Sequence, residues 1–593
     1  MEETTIPRML RRSVRRFGDR PALEGKKGAP LARLTYAQLE EAVRRFARGL
    51  AALGISQGDR IALLSENRPE WAIADLAAQS LGVVTVPIYS TLPAPQVRHL
   101  LADSAARVLV VSDRKQLAKA QEAREGVRAL EHLVAMDAPE SPGVLSFAQL
   151  MERGDSADIP DKDLDARAEG IRAEDLATLI YTSGTTGDPK GAMLTHRALL
   201  HTAVAAREIV RLDENDVFLS FLPLCHVIER VGGHYLPLAI GARIVYSEGV
   251  FAIAQELPQV QPTVFLCVPR LYESMREKVR EGVARMPERR RRLALWALDV
   301  GRRRAERAAR GEPTGLLPGL LHALADRLVL SRIREQATGG RIRFLVSGGA
   351  PLSPHTAAFF QSIGIEILEG YGLTELPVIS LNRPGHAVPG TVGPPIPGIQ
   401  VRIAEDGEIL ARGPSLMNGY FGKPEATAEA IDGEGWLHTG DVGEWTASGA
   451  LRITDRKKDI LVLANGKNVA PQPIEARLKE SPYIAEAVLL GDRMAAVAAI
   501  IVPAFDRLRH WARDQEIPAT DMADLVNRAE TRRLIKDEID RLTADLADFE
   551  RIKRFALAPQ PFTIEGGELT PTLKVRRKVV LQKYADLVSQ LAR

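Results

Sequence analysis

From Ile61 to Val346 short apolar runs alternate with segments of helical period, and this alternation restricts the chain to an α/β fold. Ile61-Ala62-Leu63-Leu64, Val83 to Ile88, Val108 to Val111, Val217-Phe218-Leu219, Ile244-Val245-Tyr246, Thr263 to Val268 and Ile342 to Val346 read as buried strands. Helices are expected between them. One starts at the capping box Thr35-Tyr36-Ala37-Gln38, after which Leu39, Val43, Phe46, Leu50 and Leu53 recur at helical spacing until Gly54. Such units build a mostly parallel sheet, and ligands bind such sheets at the carboxyl ends of strands.

With 593 residues the chain exceeds what one core holds. The expected layout is a large multi-layer N-terminal domain over 1–455, with parallel-type sheets flanked by helices. From Thr391 onward Gly393, Pro394, Pro395, Pro397 and Gly398 break the chain, and short alternating segments at Gln400 to Ile403 and Glu408 to Ala411 predict a β-rich portion. A smaller α+β C-terminal domain is expected over 459–593, beyond the charged run Asp455-Arg456-Lys457-Lys458-Asp459.

Net charge is +3, too near neutral for a dedicated nucleic-acid binder. The two cysteines, Cys225 and Cys267, form no C-x-x-C pair, which excludes zinc ribbons and redox dithiols and suggests a reducing compartment. The N-terminal MEETTIPRMLRRSVRRFGDRPAL lacks the apolar core of a secretory signal, and no apolar run is long enough to cross a bilayer. A cytoplasmic location is expected. An arginine-rich insert at about 276–340 adds a second option, peripheral contact with the inner membrane face. There Leu317, Leu320, Leu321, Leu324 and Leu328 form a helical stripe flanked by Arg327, Arg332 and Arg334, and a basic amphipathic helix can lie on an anionic surface. The favoured reading of the insert is a helical hairpin packed on the large domain with its arginines solvated.

The segment Tyr181 to Gly191, YTSGTTGDPKG, lies between two apolar runs and reads as a phosphate cradle. Gly184 and Gly187 let the backbone approach a ligand closely. Thr182, Ser183, Thr185 and Thr186 add hydroxyls, and Lys190 adds positive charge. The spacing is not that of a Walker A loop. The competing reading is a surface turn. Four more clusters accompany it. Gly348, Gly349, Ala350 and Pro351 follow a strand, where bare backbone can admit a flat ring. Tyr371, Gly372, Thr374 and Glu375 offer an aromatic face, a hydroxyl and a carboxylate within one turn. Glu375 stands where a dinucleotide fingerprint needs its third glycine, so that fingerprint fails. Thr439-Gly440-Asp441 places an acid in a tight turn suited to vicinal hydroxyls, and Lys574 stands in a stiff loop before Arg576 and Arg577. Each cluster alone is weak; their order together is informative.

The ordered set YTSGTTGDPKG, SGGAP, YGLTE, GYFGKPEATAEAI, GWLHTGD and DRKKD resembles the adenylate-forming superfamily of acyl-CoA synthetases, firefly luciferase and adenylation domains. LPLCHVIER at Leu222 to Arg230, NGKNVAP at Asn465 to Pro471 and the ending TPTLK resemble the long-chain fatty acid–CoA ligases in particular. The resemblance implies ATP, Mg²⁺ and coenzyme A as partners of a fatty acid. Thr182 and Glu375 would hold Mg²⁺; the loop Ser183 to Gly187 and Lys190 would take the β- and γ-phosphates. Gly348 to Pro351 and Tyr371 would hold adenine, Asp441 and Arg456 ribose, and Lys574 the carboxylate and α-phosphate.

By the same resemblance a hinge at 456–458, centred on Lys458, lets a mobile C-terminal lid bring Gly466, Lys467 and Asn468 toward coenzyme A. His226 would stand near the acyl carboxylate; a buried histidine satisfied by backbone is an equal alternative. The stretch Glu375 to Ser380 is tighter and more apolar than in related ligases. Other readings are a fatty acyl-AMP ligase that loads a carrier protein, and an inactive acyl- or nucleotide-binding relative. A homodimer is left open.

Overall fold

The computed structural model describes residues 4–29, 31–137, 141–182, 189–309, 312–313, 315–570 and 574–592. Two compact units result. The first comprises Met1–Gly349, Pro354–Arg402 and Leu410–His438; the second comprises Ala350–Ser353, Ile403–Ile409 and Thr439–Arg593.

The first unit carries two large sheets. One has seven strands in the order Val144–Ser146, His132–Ala135, Val108–Val111, Arg60–Leu64, Val84–Ile88, Leu176–Thr182 and Lys190–Thr195. The first six run parallel, and Lys190–Thr195 pairs antiparallel with Leu176–Thr182. The other has eight strands, with a parallel centre that includes Val217–Ser220, Val264–Cys267, Phe344–Ser347 and Glu366–Tyr371. Val217–Ser220, Val264–Cys267 and Phe344–Ser347 are near-continuous apolar runs, as expected where helices cover both faces of a parallel sheet. The capping box forms as expected: Thr35 and Gln38 exchange side-chain and backbone hydrogen bonds at the start of helix Tyr36–Ala52.

In the second unit, strands Ile484–Leu490, Ala498–Pro503 and Arg554–Leu557 form a three-stranded sheet. Its side chains alternate between two cores. Ala487, Leu489, Ala499 and Ile501 enter one; Val488, Leu490, Ala498 and Ile500 enter the other. The expected β-rich portion is present as strands Gln400–Ile403, Glu408–Arg412, Leu437–Trp445 and Leu451–Arg456, whose residues are divided between the two units.

The insert corrects one expectation. It does form helices, Glu288–Ala309 and Leu316–Ala325, and the first packs closely on helix Pro354–Ser362. The seam is made of small residues. Ala294, Ala297 and Gly301 are buried, and a Cβ at Gly301 would stand 1.9 Å from the Ser362 carbonyl oxygen. The leucine stripe, however, is not the packed face: Leu317, Leu320, Leu321, Leu324 and Leu328 are all exposed. Arg334 is not solvated either, since it binds Asp326 and the Ile363 carbonyl. No helix among the described residues is long and apolar enough to cross a membrane.

Candidate functional site

The first unit brings together four residues that the sequence scatters. Thr182 ends its strand, and Lys190 begins the next, directly opposite it in the ladder. Ser183, Gly184, Thr185, Thr186 and Gly187, the rest of the expected cradle, lie outside the described residues. Lys190 Nζ lies 5.2 Å from the centre of the Tyr420 ring, a cation–π contact. Tyr420 Oη donates to Glu375 Oε1 at 2.6 Å. Burial and the neighbouring carboxylate both push the Tyr420 phenol well above its usual range, so it stays protonated and remains a donor.

Tyr420 was not among the residues singled out from sequence. Its place follows from the segment Met417 to Phe421, which zips along the strand Lys190–Thr195. Met193 donates to the Gly419 carbonyl, Asn418 to the Met193 carbonyl, and Phe421 to the Gly191 carbonyl, while Met417 donates to the Glu375 carbonyl. Gly419 has φ +123°, and a Cβ there would stand 2.6 Å from Thr427 Cγ2. Thr427 in turn accepts from the Tyr420 backbone N–H at 2.9 Å. The motif GYFGKPEAT therefore reads as a device that aims one phenol at Glu375. An aromatic residue with a polar tip just after a constrained glycine was the available signal.

Gly348 and Tyr371 follow and end adjacent parallel strands at their carboxyl ends. A Cβ at Gly348 would meet Ile228 Cδ1 at 3.2 Å, and Gly349 has φ +81°. Tyr371 is buried. Gly372, Thr374 and Glu375 are half-buried in the loop that follows. That loop closes on itself: Leu373 donates to the Leu376 carbonyl, and Ile379 to the Tyr371 carbonyl. A Cβ at Gly372 would stand 2.2 Å from the Pro377 carbonyl oxygen, so the loop needs glycine there. Ala350 and Pro351 fall in the second unit and are exposed.

His226 is half-buried just before a π-helical stretch, Glu229–Tyr235, and its Nδ1 accepts from the Ile228 N–H at 3.3 Å. Behind it lies a cluster that sequence reading missed. Arg230 and Asp75 form a fully buried ion pair. Arg230 also donates to Thr178 on the strand leading to the cradle and to Thr85 on its neighbour, and Tyr235 donates to Asp75 at 2.7 Å. Burial alone would raise the Asp75 carboxyl; Arg230 and the hydrogen bonds override it and hold it at about 2. The cluster pins the His226 segment to the strands Leu176–Thr182 and Val84–Ile88. An aspartate inside the largely apolar helix Pro69–Ser80 was a sequence signal for it.

The second unit holds the other candidate group. Asp441 and Arg456 face each other across the antiparallel pair Leu437–Trp445 and Leu451–Arg456, joined by an ion pair at 3.1 Å. Gly440, with φ +70°, donates to Glu408, and the Asp441 N–H donates to Thr439 Oγ1. Lys574 is close enough to feel both charges. Burial pushes its ammonium down to about 8, Arg456 pushes the same way, and Asp441 opposes. Its backbone is clamped, since Lys574 N–H donates to Thr570 Oγ1 and Thr570 N–H to the Lys574 carbonyl. Arg577 is tied to Glu475 and the Leu489 carbonyl. Lys458 is exposed in a turn; Gly466 and Lys467 are exposed between two short paired strands, and exposed Asn468 begins the second, with Lys467 Nζ 4.4 Å from the Phe549 ring centre. Both thiols are buried and pushed up, so they stay protonated.

Two groups of preorganised positive charge, each accompanied by a carboxylate, suit chemistry on polyphosphates. The comparisons agree. Residues 10–421 match the AMP-binding enzyme family and residues 458–592 match the AMP-binding enzyme C-terminal domain, and the chain belongs to this family. Among its relatives, long-chain-fatty-acid–CoA ligase FadD15 of Mycobacterium bovis is 37% identical over 560 residues, covering 93% of this chain and 91% of the relative. Long-chain-fatty-acid–CoA ligase 1 of Homo sapiens is 32% identical over 630 residues, covering 99% and 86%. The anthranilate CoA ligase AuaEII, solved with anthranoyl-AMP, shares the fold with TM-score 0.75 at 22% identity, over 99% of this chain and 98% of that one.

Proposed function

We propose that this protein is a long-chain fatty acid–CoA ligase. It joins a fatty acid to ATP as an acyl-adenylate and then transfers the acyl group to coenzyme A. A carboxylate is a poor acylating agent because oxide is a poor leaving group. In the first step a carboxylate oxygen attacks the α-phosphorus, the bond to the β-phosphate bridge breaks, and pyrophosphate leaves. In the second the coenzyme A sulfur attacks the acyl carbon, its proton is lost, and AMP leaves.

The observation that supports the reading is a buried Lys574 ammonium that feels the charges of both Arg456 and Asp441, which pair with each other. In this reading Asp441 and Arg456 grip the ribose, and Lys574 offers its charge to the carboxylate and α-phosphate as they meet. Lys190 and the cradle take the outer phosphates. Gly348 to Pro351 and Tyr371 take adenine, and His226 positions the acid. The reaction brings two anions together, so fixed positive charge contributes most in the transition state. Lys458 serves as hinge, and Gly466 to Asn468 serve the thioester step. Support for coenzyme A over a carrier protein comes from the relatives, which are named CoA ligases.

The donor set fits Mg²⁺. That ion keeps several waters and takes one or two carboxylates plus substrate phosphates. Glu375 supplies a half-buried carboxylate and Thr182 a hydroxyl. When bound, Mg²⁺ would neutralise charge on the phosphate oxygens. Tyr420 keeps the Glu375 carboxylate oriented.

The test is a thioester assay with ATP, coenzyme A and acids from about two to eighteen carbons, where each buried methylene adds about 0.8 kcal/mol. Turnover efficiency should rise steeply with chain length. Preference for short or aromatic acids would overturn the substrate assignment. Acyl-adenylate without thioester would overturn coenzyme A as acceptor.

A further inference from the structure

Fourteen large apolar side chains are conspicuously exposed among the described residues, and nine of them lie between Met286 and Leu328. That concentration marks an interaction surface rather than scattered surface apolar residues. Helix Leu316–Ala325 and the π-helical turn Asp326–Leu330 present it. Leu316 is 92% exposed, Leu317 68% and Leu320 70%, and Leu321, Leu324 and Leu328 continue the same side at helical spacing. The opposite side faces the protein, through buried Ala325 and Leu330 and through His322, whose Nδ1 lies 2.5 Å from Arg304 Nη1.

The charge around this face selects its occupant. Between Met286 and Leu330 the chain carries ten arginines against five acidic residues, an excess greater than that of the whole protein. Exposed Arg327 sits between Leu324 and Leu328, and exposed Arg289, Arg290 and Arg291 lie on the neighbouring helix. A second copy of the chain would set arginine against arginine. An anionic lipid surface takes both features, with leucines entering the acyl boundary and guanidinium groups meeting phosphate headgroups.

We infer that the leucine face of Leu316–Leu330 docks this protein on an anionic membrane as an interfacial, non-spanning helix. The inference goes beyond the ligase reading and needs neither ATP nor a fatty acid to be tested. The full chain is sedimented with vesicles of phosphatidylcholine alone or mixed with phosphatidylglycerol, at low and raised salt. Two triple variants accompany it, L317S/L320S/L324S and R289Q/R290Q/R291Q. Both alter exposed side chains, and an unchanged thermal midpoint confirms folding. The wild type should pellet with the anionic vesicles, and the leucine variant should lose at least about tenfold in partitioning. The arginine variant should lose most of the salt-sensitive part. Equal pelleting with neutral and anionic vesicles, or a leucine variant that binds like wild type, overturns the inference. So does self-association in sedimentation velocity that the leucine variant abolishes, without vesicle binding, because the occupant is then a second copy.

Discussion

Tyr420 Oη donates a 2.6 Å hydrogen bond to Glu375 Oε1 while the same ring offers its face to Lys190 Nζ at 5.2 Å. One phenol thus orients an anion through its hydroxyl and a cation through its π face. It fixes the relative placement of two groups proposed to meet ATP, although 45 residues separate Tyr420 from Glu375.

Tyr420→Phe keeps the ring and removes the donor. A hydrogen bond to a charged group is worth about 1.5–3 kcal/mol. Fatty-acid-dependent pyrophosphate release should fall about 10- to 100-fold, with a higher Mg²⁺ requirement. Tyr420→Leu should fall further, because the cation–π contact goes too. An unchanged rate in Tyr420→Phe would remove the hydrogen bond from the account.

In the proposed reaction Lys574 acts as a cation, and burial, with Arg456 beside it, pushes its ammonium down to about 8. The kcat/KM for adenylation should therefore decline as pH rises through about 8. Arg456 depresses this group, so Arg456→Gln should move the decline to higher pH; Asp441→Asn, which removes the opposing charge, should move it lower. Lys574→Arg should abolish the decline, since a guanidinium stays charged. A pH limb indifferent to all three substitutions would assign it to another group.

The Asp75–Arg230 pair is fully buried, so removing one partner leaves an uncompensated charge. Arg230→Met should cost about 3–5 kcal/mol in denaturant unfolding, and adding Asp75→Leu should recover part of that loss. The Asp75 carboxyl, held at about 2, contributes stability that is complete above its unfolded pKa of about 3.9 and is lost as pH falls through about 2. Equal stability of wild type and Arg230→Met at neutral pH would contradict this.

Much of the architecture was legible because strand and helix periods are local. The runs at Ile61, Val108 and Thr263 became strands, and Thr35 capped its helix, since each depends on neighbours a few residues away. What was hidden depends on long-range contact. Asp75 interrupted an apolar helix without revealing that its partner is Arg230, 155 residues on. Tyr420 was visible inside its motif, but its aim at Glu375 is set by backbone bonds to the strand Lys190–Thr195. The leucine stripe left two readings open for the opposite reason. Periodicity shows that one side of a helix is apolar, not whether the protein covers it, and small residues at Ala294, Ala297 and Gly301 made the packed seam instead.

The central claim is that the fatty carboxylate attacks the α-phosphorus of ATP. Turnover with a fatty acid carrying oxygen-18 in its carboxylate, followed by mass spectrometry of the phosphate products, tests it directly. One labelled oxygen should appear in AMP and none in pyrophosphate, and Lys574→Ala should suppress that transfer while still making thioester from supplied acyl-adenylate. Label in inorganic phosphate or pyrophosphate, or AMP released without it, would contradict the account.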